Sequence, residues 1–490
     1  MIKTININNK YLYLLLLVLL VRLPFFSEVL IDGDETTFLI IGKWFMEGNT
    51  PYERYTDFKT FYVYYIYGFL YQASNESLFI FRMYGAIIIF LTSIPVYRIS
   101  LLFLNTKNSF FVACLFIISS SYLHVTSQSI QTQHLAMLPF IYSMYLLSIK
   151  KNYLLAAFLI ALAVSIRSNL VLSSVFMLAF VFYTEEKKNF YNFFLGGFIF
   201  IIFTVFIAYF FNFFDLFISN AILDPINYTA KGNPTITNLI NLIKNGILPF
   251  DKIFLLRLVF YSIGFLGFLR LLFTYHNNNK SSSILILGTF IFISISIIIS
   301  GHAPSAYLIQ ISFFISFFFI YFLVSHYKLS LHYPIILILL ISIIQLYEPY
   351  KNFFIYNIQK QKLYRGETVE IFNYINSQDK LTKDDFIYVY KHIPLHLMYN
   401  SLPISRYVHP PNIYKKKYLL KNNNTSTINE ANNIFLKNSP KYIIVENTLN
   451  NFLKMAYASN QNKIDQITKK YLFKKKINKS YIYRLNNTSY

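Results

Sequence analysis

Three carboxylates crowd into four positions, Asp32-Gly33-Asp34-Glu35, just after the first apolar run of the chain. A carboxylate there can take a proton from a hydroxyl or orient a neighbouring group, and Asp32-x-Asp34 has the spacing to hold a divalent cation. Adjacent acids repel, which raises the proton affinity of one of them. The same residues also make an ordinary helix start, an Asp at the N-cap with acids in the first turn. Placement favours function, because charge beside hydrocarbon is costly and is retained where it is used. Few other acids occur before residue 351, so these stand out.

The elements around them are those of a membrane protein. Of 490 residues, 55% are hydrophobic and 13% charged, and the mean hydropathy is +0.43. A soluble chain of this size cannot bury so much apolar surface. Apolar runs near 11–31, 78–97, 109–125, 133–149, 153–167, 169–183, 190–211, 253–274, 283–300, 306–325 and 333–349 predict about eleven membrane passes. The two runs flanking Arg167 are short and read as one broken hairpin, which a membrane tolerates where the break lines a protein cavity. Lys3, Lys10, Arg98, Lys107, Lys150, Lys151, Lys187, Lys188, Arg270, Lys280 and Lys328 fall on one side of that pattern. By the positive-inside bias the N-terminus is cytoplasmic, and the acidic loop and the tail are extracytoplasmic. In a bacterium the protein then sits in the inner (plasma) membrane.

The chain reads as two domains, a transmembrane one over 1–350 and an extracytoplasmic one over 351–490. The tail holds 23 of the 44 Lys and Arg but only 8 of the 22 Asp and Glu. That basic surface suits anionic headgroups, glycan phosphates or nucleic acid, the last excluded if the tail lies outside the cell. Phe386–Tyr390 and Tyr442–Glu446 read as short buried strands of a small α/β fold, with an Asn-rich loop or weak helix start at 421–433. A single cysteine, Cys114, within an apolar run rules out a disulfide framework.

The outward loop 32–77 is the most informative stretch. After the acids, 36–46 suits an amphipathic helix in the interface, with Trp44 at headgroup level. Gly48-Asn49-Thr50-Pro51-Tyr52 reads as a stop and turn, then come Asp57-Phe58-Lys59 and the aromatic run 61–67, read as an interfacial belt. Arg82 opens the second pass. This order resembles the GT-C superfamily of glycosyltransferases, in the branch of the dolichyl-phosphate-mannose–protein mannosyltransferases and the lipid A aminoarabinose transferases. The matching residues are Asp34-Glu35, the Gly48–Tyr52 turn, Asp57-x-Lys59 and Arg82. Thr60-Phe61 stands where that branch has Pro-Pro. Late in the chain, Tyr307 matches a His-Tyr pair whose histidine position holds Ala306, with His302 upstream as a substitute. The resemblance spans roughly 1–350, and Pro440–Val445 also resembles a strand of the soluble tails of bacterial members.

The resemblance implies a GT-C-like α-helical polytopic fold and transfer of a hexosyl or pentosyl unit from a polyprenyl-phosphate donor to a glycan, lipid or protein acceptor outside the cell. Asp34 is then the general base of an inverting transfer, with Glu35 orienting it or holding the acceptor. The phosphate gains charge as it leaves, and cations aimed at it lower the barrier. Lys59, Arg82 and Arg167 are the candidates, and Asp57, His302 and Tyr307 complete the substrate-binding set. Plainer roles exist for the cations: Lys59 snorkelling to headgroups, Arg82 anchoring a helix end, Arg167 pairing with lipid phosphate. The Ser/Gln-rich turn 127–133, flanked by His124 and His134, reads either as a contact for sugar hydroxyls or as a plain polar loop. No metal or other cofactor is expected, since the donor itself supplies a charged leaving group and the His and Cys spacings carry no zinc signature. The competing functions are a multi-pass oligosaccharide polymerase or ligase, which usually carries its main outward loop late in the chain, and a multi-pass lipid or glycan transporter or flippase. Transporters tend to have internal repeats and midplane charges, whereas this chain lacks two-half symmetry and carries its acids at the surface.

Overall fold

The computed structural model describes residues 7–230, 235–249, 254–275, 279–301, 305–327, 346–355, 364–382, 385–409, 426–458 and 460–486. They form two compact units. One comprises 1–26, 79–210 and 229–355, the other 27–78, 211–228 and 356–490. The loop 32–77 thus clusters with the tail.

The first unit is helical. Among the described residues, five helical stretches are long and apolar enough to cross a membrane: Leu78–Ser100, Lys187–Phe210, Phe254–Thr274, Lys280–Ile299 and Ser305–Ser325. The chain is a membrane protein. The first helix runs Ile7–Arg22 and gives way to a 3-10 turn at Pro24, earlier than the apolar run to 31 suggests. Pro24 fixes φ and removes a donor, which ends the regular helix. The short helices Tyr153–Ile166 and Val171–Thr184 meet at Arg167, whose extended backbone makes the break expected there. The proposed pass 333–349 lies mostly outside the described residues. Much of Lys187–Phe210 exposes its Phe and Ile side chains, as a bilayer-facing helix does. Phe254–Thr274 packs against Ser312–Tyr327 through Gly264 and Gly267. A Cβ on Gly267 would lie 1.9 Å from the Phe318 carbonyl oxygen, so only glycine allows that approach.

The second unit is a helical hairpin joined to a small sheet. Gly33–Met46 packs on Phe61–Ala73 where Gly42 and Gly68 touch backbone to backbone, and a Cβ on Gly42 would come within 2.5 Å of the Gly68 nitrogen. The aromatic run is therefore largely core. Phe61, Tyr64, Tyr67 and Tyr71 are buried, so the belt reading gives way to a helix packed on its neighbour. Likewise Thr36 to Gly42 are all buried, which replaces the one-sided amphipathic helix. Trp44 stacks edge-on with Tyr55 instead of reaching for headgroups alone.

The tail sheet has the order β1-β2-β4-β3, with β1 Ile387–Val389, β2 Tyr442–Val445, β3 Tyr471–Ile477 and β4 Ser480–Leu485. The β1–β2 pair is parallel and the other two pairs antiparallel. β1 and β2 are the two strands read from the sequence. Apolar clusters cover both of their faces, one around Phe435, Phe452 and Tyr388, the other around Ile371, Ile387 and Tyr442. The Asn-rich stretch does start a helix, Thr427–Asn432, capped by Ser426.

Loop and tail are bonded to each other in this unit. Arg365 pairs with Glu28 at 2.5 Å. The Tyr55 hydroxyl donates to the Pro403 carbonyl at 2.9 Å, and Arg406 donates to the Tyr52 carbonyl at 3.3 Å. Phe58 packs on the tail cluster. Thr56 meets Asn220, which ties in the 211–228 segment.

Candidate active site

Asp32 caps the Gly33–Met46 helix, its carboxylate accepting from the Asp34 amide at 3.1 Å. That cap places Asp34 and Glu35 in the first turn, where the helix dipole favours anions. The two then diverge. Glu35 is buried, while Asp34 is exposed. Among the described residues, the Asp34 carboxylate makes no hydrogen bond and no ion pair. Its oxygens are available to a substrate hydroxyl.

Gly33, between the two aspartates, explains how closely the tail approaches. A Cβ there would lie 3.3 Å from His409 Nε2 and 3.6 Å from Ile393 Cδ1. Sequence reasoning missed His409, which is 376 positions away. The only signal was a glycine inside an acidic cluster.

Asp57 and Lys59 form a tight turn. The Lys59 amide donates to the Asp57 carbonyl at 2.9 Å, and Tyr64 donates to the same oxygen at 2.7 Å. The Asp57 side chain is buried and accepts from the Phe58 amide at 2.8 Å. The Lys59 ammonium lies over the Phe58 ring, 4.6 Å from its centroid. Tyr52, after the Gly48 turn, donates to the Lys59 carbonyl at 3.0 Å, and burial pushes its hydroxyl pKa well up, so it stays a donor.

In the helical unit the cations divide into two kinds. Arg82 is fully buried and donates to the Phe25 carbonyl at 2.9 Å. Arg22, which sequence reasoning passed over, is fully buried too and donates to the carbonyls of Ser127, Gln128 and Ser129. Arg257 reaches the carbonyls of Leu123 and Pro249. These arginines hold main chain in place. Arg167 differs. It is 8% exposed, gives one hydrogen bond to the Thr132 hydroxyl at 3.2 Å, and lies 4.7 Å from the Tyr307 ring centroid. No carboxylate faces it among the described residues. Beside it, Asn169 and Gln310 exchange side-chain hydrogen bonds at 2.7 and 3.1 Å. A buried guanidinium on an aromatic face with donors to spare suits an anion.

His124 and His134 are buried and spoken for. His134 accepts from the Gln131 amide and donates to the Ser120 carbonyl, while His124 bonds the Tyr261 hydroxyl. The turn they flank is packed inside the unit, where its carbonyls accept from Arg22. His302 lies outside the described residues. Among the described residues no group of three or more His, Cys, Asp or Glu side chains is arranged to hold a metal ion.

No protein-family model and no curated protein matches the chain. Solved structures do. The archaeal oligosaccharyltransferase AglB from Archaeoglobus fulgidus, in complex with an inhibitory peptide and a dolichol-phosphate, aligns with a TM-score of 0.53 at 11% identity over 99% of this chain and 74% of its own. The oligosaccharyltransferase of Archaeoglobus fulgidus in the apo form aligns with a TM-score of 0.54 at 10% identity, over 98% and 74%. The chain has the GT-C fold. The likeness runs through both compact units, since it covers nearly the whole chain. A GT-C fold built on 10–11% identity is held by helix placement and apolar pattern, not by shared side chains.

Proposed function

We propose that this chain is a membrane glycosyltransferase that moves a sugar from a polyprenyl-phosphate donor to a glycan, lipid or protein acceptor on the extracytoplasmic face. The observation that carries the reading is Asp34: an exposed first-turn carboxylate with no partner among the described residues, in a chain of GT-C fold. Asp34 takes the proton of the acceptor hydroxyl as that oxygen attacks the anomeric carbon, inverting it. The anomeric bond to phosphate breaks, and the phosphate leaves on its lipid. Buried Glu35 and Asp57 hold the loop that presents Asp34. Among the helical unit's candidate cations for a phosphate, Arg167 on Tyr307 has donors to spare, whereas Arg82 serves the Phe25 carbonyl. Lys59 and His302 remain second candidates. The solved neighbour bound to a dolichol-phosphate and a peptide supports a lipid-linked donor.

The same reading has about eleven passes through the inner (plasma) membrane, a cytoplasmic N-terminus, a transmembrane domain over 1–350 and an extracytoplasmic domain over 351–490. A transporter is not supported by any observation that the transferase reading leaves unexplained.

The test is transfer by purified protein from a polyprenyl-phosphate-linked sugar, with product followed by mass spectrometry. Asp34→Asn should cost at least about 100-fold in rate while helix content and melting stay those of the parent. A variant that turns over at the parental rate removes Asp34 from the chemistry.

A further inference from the structure

β3 exposes five residues in succession, Leu472, Phe473, Lys474, Lys475 and Lys476, between buried Tyr471 and Ile477. Successive side chains on a strand point to opposite faces, so five exposed in a row leave both faces uncovered. Among the described residues β3 is also an outer strand, paired only with β4, and a register shift between Phe473 and Lys475 kinks it. Leu472 is 45% exposed and Phe473 55%. Lys475 stands 4.9 Å from the Tyr374 ring centroid and Lys476 4.9 Å from that of Tyr481. Among the described residues none of these three lysines makes an ion pair. From 466 to 490 the sequence holds six lysines, one arginine and no acid.

Lysines on an outer strand guard against edge-to-edge pairing. That accounts for the charge but not for exposed Leu472, nor for Phe473, which stays largely exposed although its ring lies 5.6 Å from that of Tyr483. A soluble polyanion would neutralise the lysines and leave the two apolar side chains in water. The headgroup layer of an anionic bilayer offers phosphates and hydrocarbon together. Its own helices anchor the chain in a membrane, so the tail meets headgroups at high effective concentration. We propose that the β3 edge docks on anionic phospholipid headgroups, with Leu472 and Phe473 entering the interface and Lys474, Lys475 and Lys476 meeting the phosphates. This surface does not depend on the transferase reading.

Trp44 is the only tryptophan of the chain, so Trp44→Phe with Phe473→Trp gives a full-length protein that reports on position 473 alone. It is reconstituted in nanodiscs of acyl-brominated phosphatidylglycerol or of acyl-brominated phosphatidylcholine. Quenching is expected in the phosphatidylglycerol discs and not in the others. Lys474→Gln, Lys475→Gln and Lys476→Gln together should abolish it, since three headgroup lysines amount to on the order of a hundredfold in association. Equal quenching in both discs, or none in either, overturns the proposal. So does protection of 471–477 from hydrogen exchange by a soluble anionic polysaccharide without lipid quenching, which would make the partner a glycan. Exchange at Tyr442–Val445 checks that the sheet is intact. If the tryptophan variant does not fold, exchange across β3 of the native chain in the two kinds of disc decides between the same outcomes.

Discussion

In the helical unit, Arg22 and Arg257 give their guanidinium hydrogens to main-chain carbonyls, whereas in the loop-and-tail unit Arg365, Arg484, Lys441 and Lys391 find carboxylates. The difference follows from solvent. Carboxylates are scarce and costly at membrane depth, so a buried cation there leans on carbonyl dipoles, which cannot be protonated away. In the loop-and-tail unit the pairs are mostly part-exposed, and such pairs are individually weak. Among the candidate site residues, two stand apart from both patterns. Asp34 has no partner among the described residues, and Arg167 has one hydroxyl and one ring. What the scaffold does not consume is what remains for a substrate.

The comparison breaks most visibly at Arg22. Arg22→Leu deprives three carbonyls, two of them buried, of their donor and should cost on the order of 4 kcal/mol, seen as lost yield and a lowered melting temperature in detergent. An unchanged melt would mean that water replaces the guanidinium and that the clasp is ornamental. The next effect belongs to the tail and depends on pH. Burial holds the His396 pKa down at about 3, against about 6.5 in an unfolded chain. The unfolded state therefore binds the proton first, and stability present above about pH 6.5 is lost as pH falls toward the folded value. Roughly 3 kcal/mol should be gone near pH 4, read from exchange of the β-sheet amides during acid titration. His396→Phe should flatten that slope, and an unaltered slope would assign the acid sensitivity to other groups. Smallest in stability is Arg167→Gln, about 1 kcal/mol for the one hydrogen bond lost, yet it should raise the donor KM about tenfold or more. A large loss of stability with an unchanged KM would place Arg167 among the structural arginines.

Legibility from sequence tracked the length of the signal. Apolar runs gave the membrane helices, and the break at Arg167 was visible as two short ones. Tyr442–Val445 was readable because a fully buried strand is continuously apolar. β3 was not, because Lys474, Lys475 and Lys476 read as a charged loop until a pairing partner is seen. The helix Phe61–Ala73 was hidden by its tyrosines, which suit an interface as well as a core. At the candidate site, the acids and the turn after them were legible as an ordered set. The contact of Gly33 with His409 was not, since a single residue leaves no periodic trace at that distance. Nor was the contrast between Arg82 and Arg167, which depends on which oxygens surround each guanidinium.

The clasp of Arg22 on residues 127–129 has a consequence for biogenesis. It closes over 105 to 107 positions of chain. At a synthesis rate of about 5–20 residues per second, the opening helix waits roughly 5–20 s before its acceptors leave the ribosome. For that interval Arg22 lacks these three acceptors, and it gains them only after the helices Leu78–Ser100 and Thr106–Ser121 have been made.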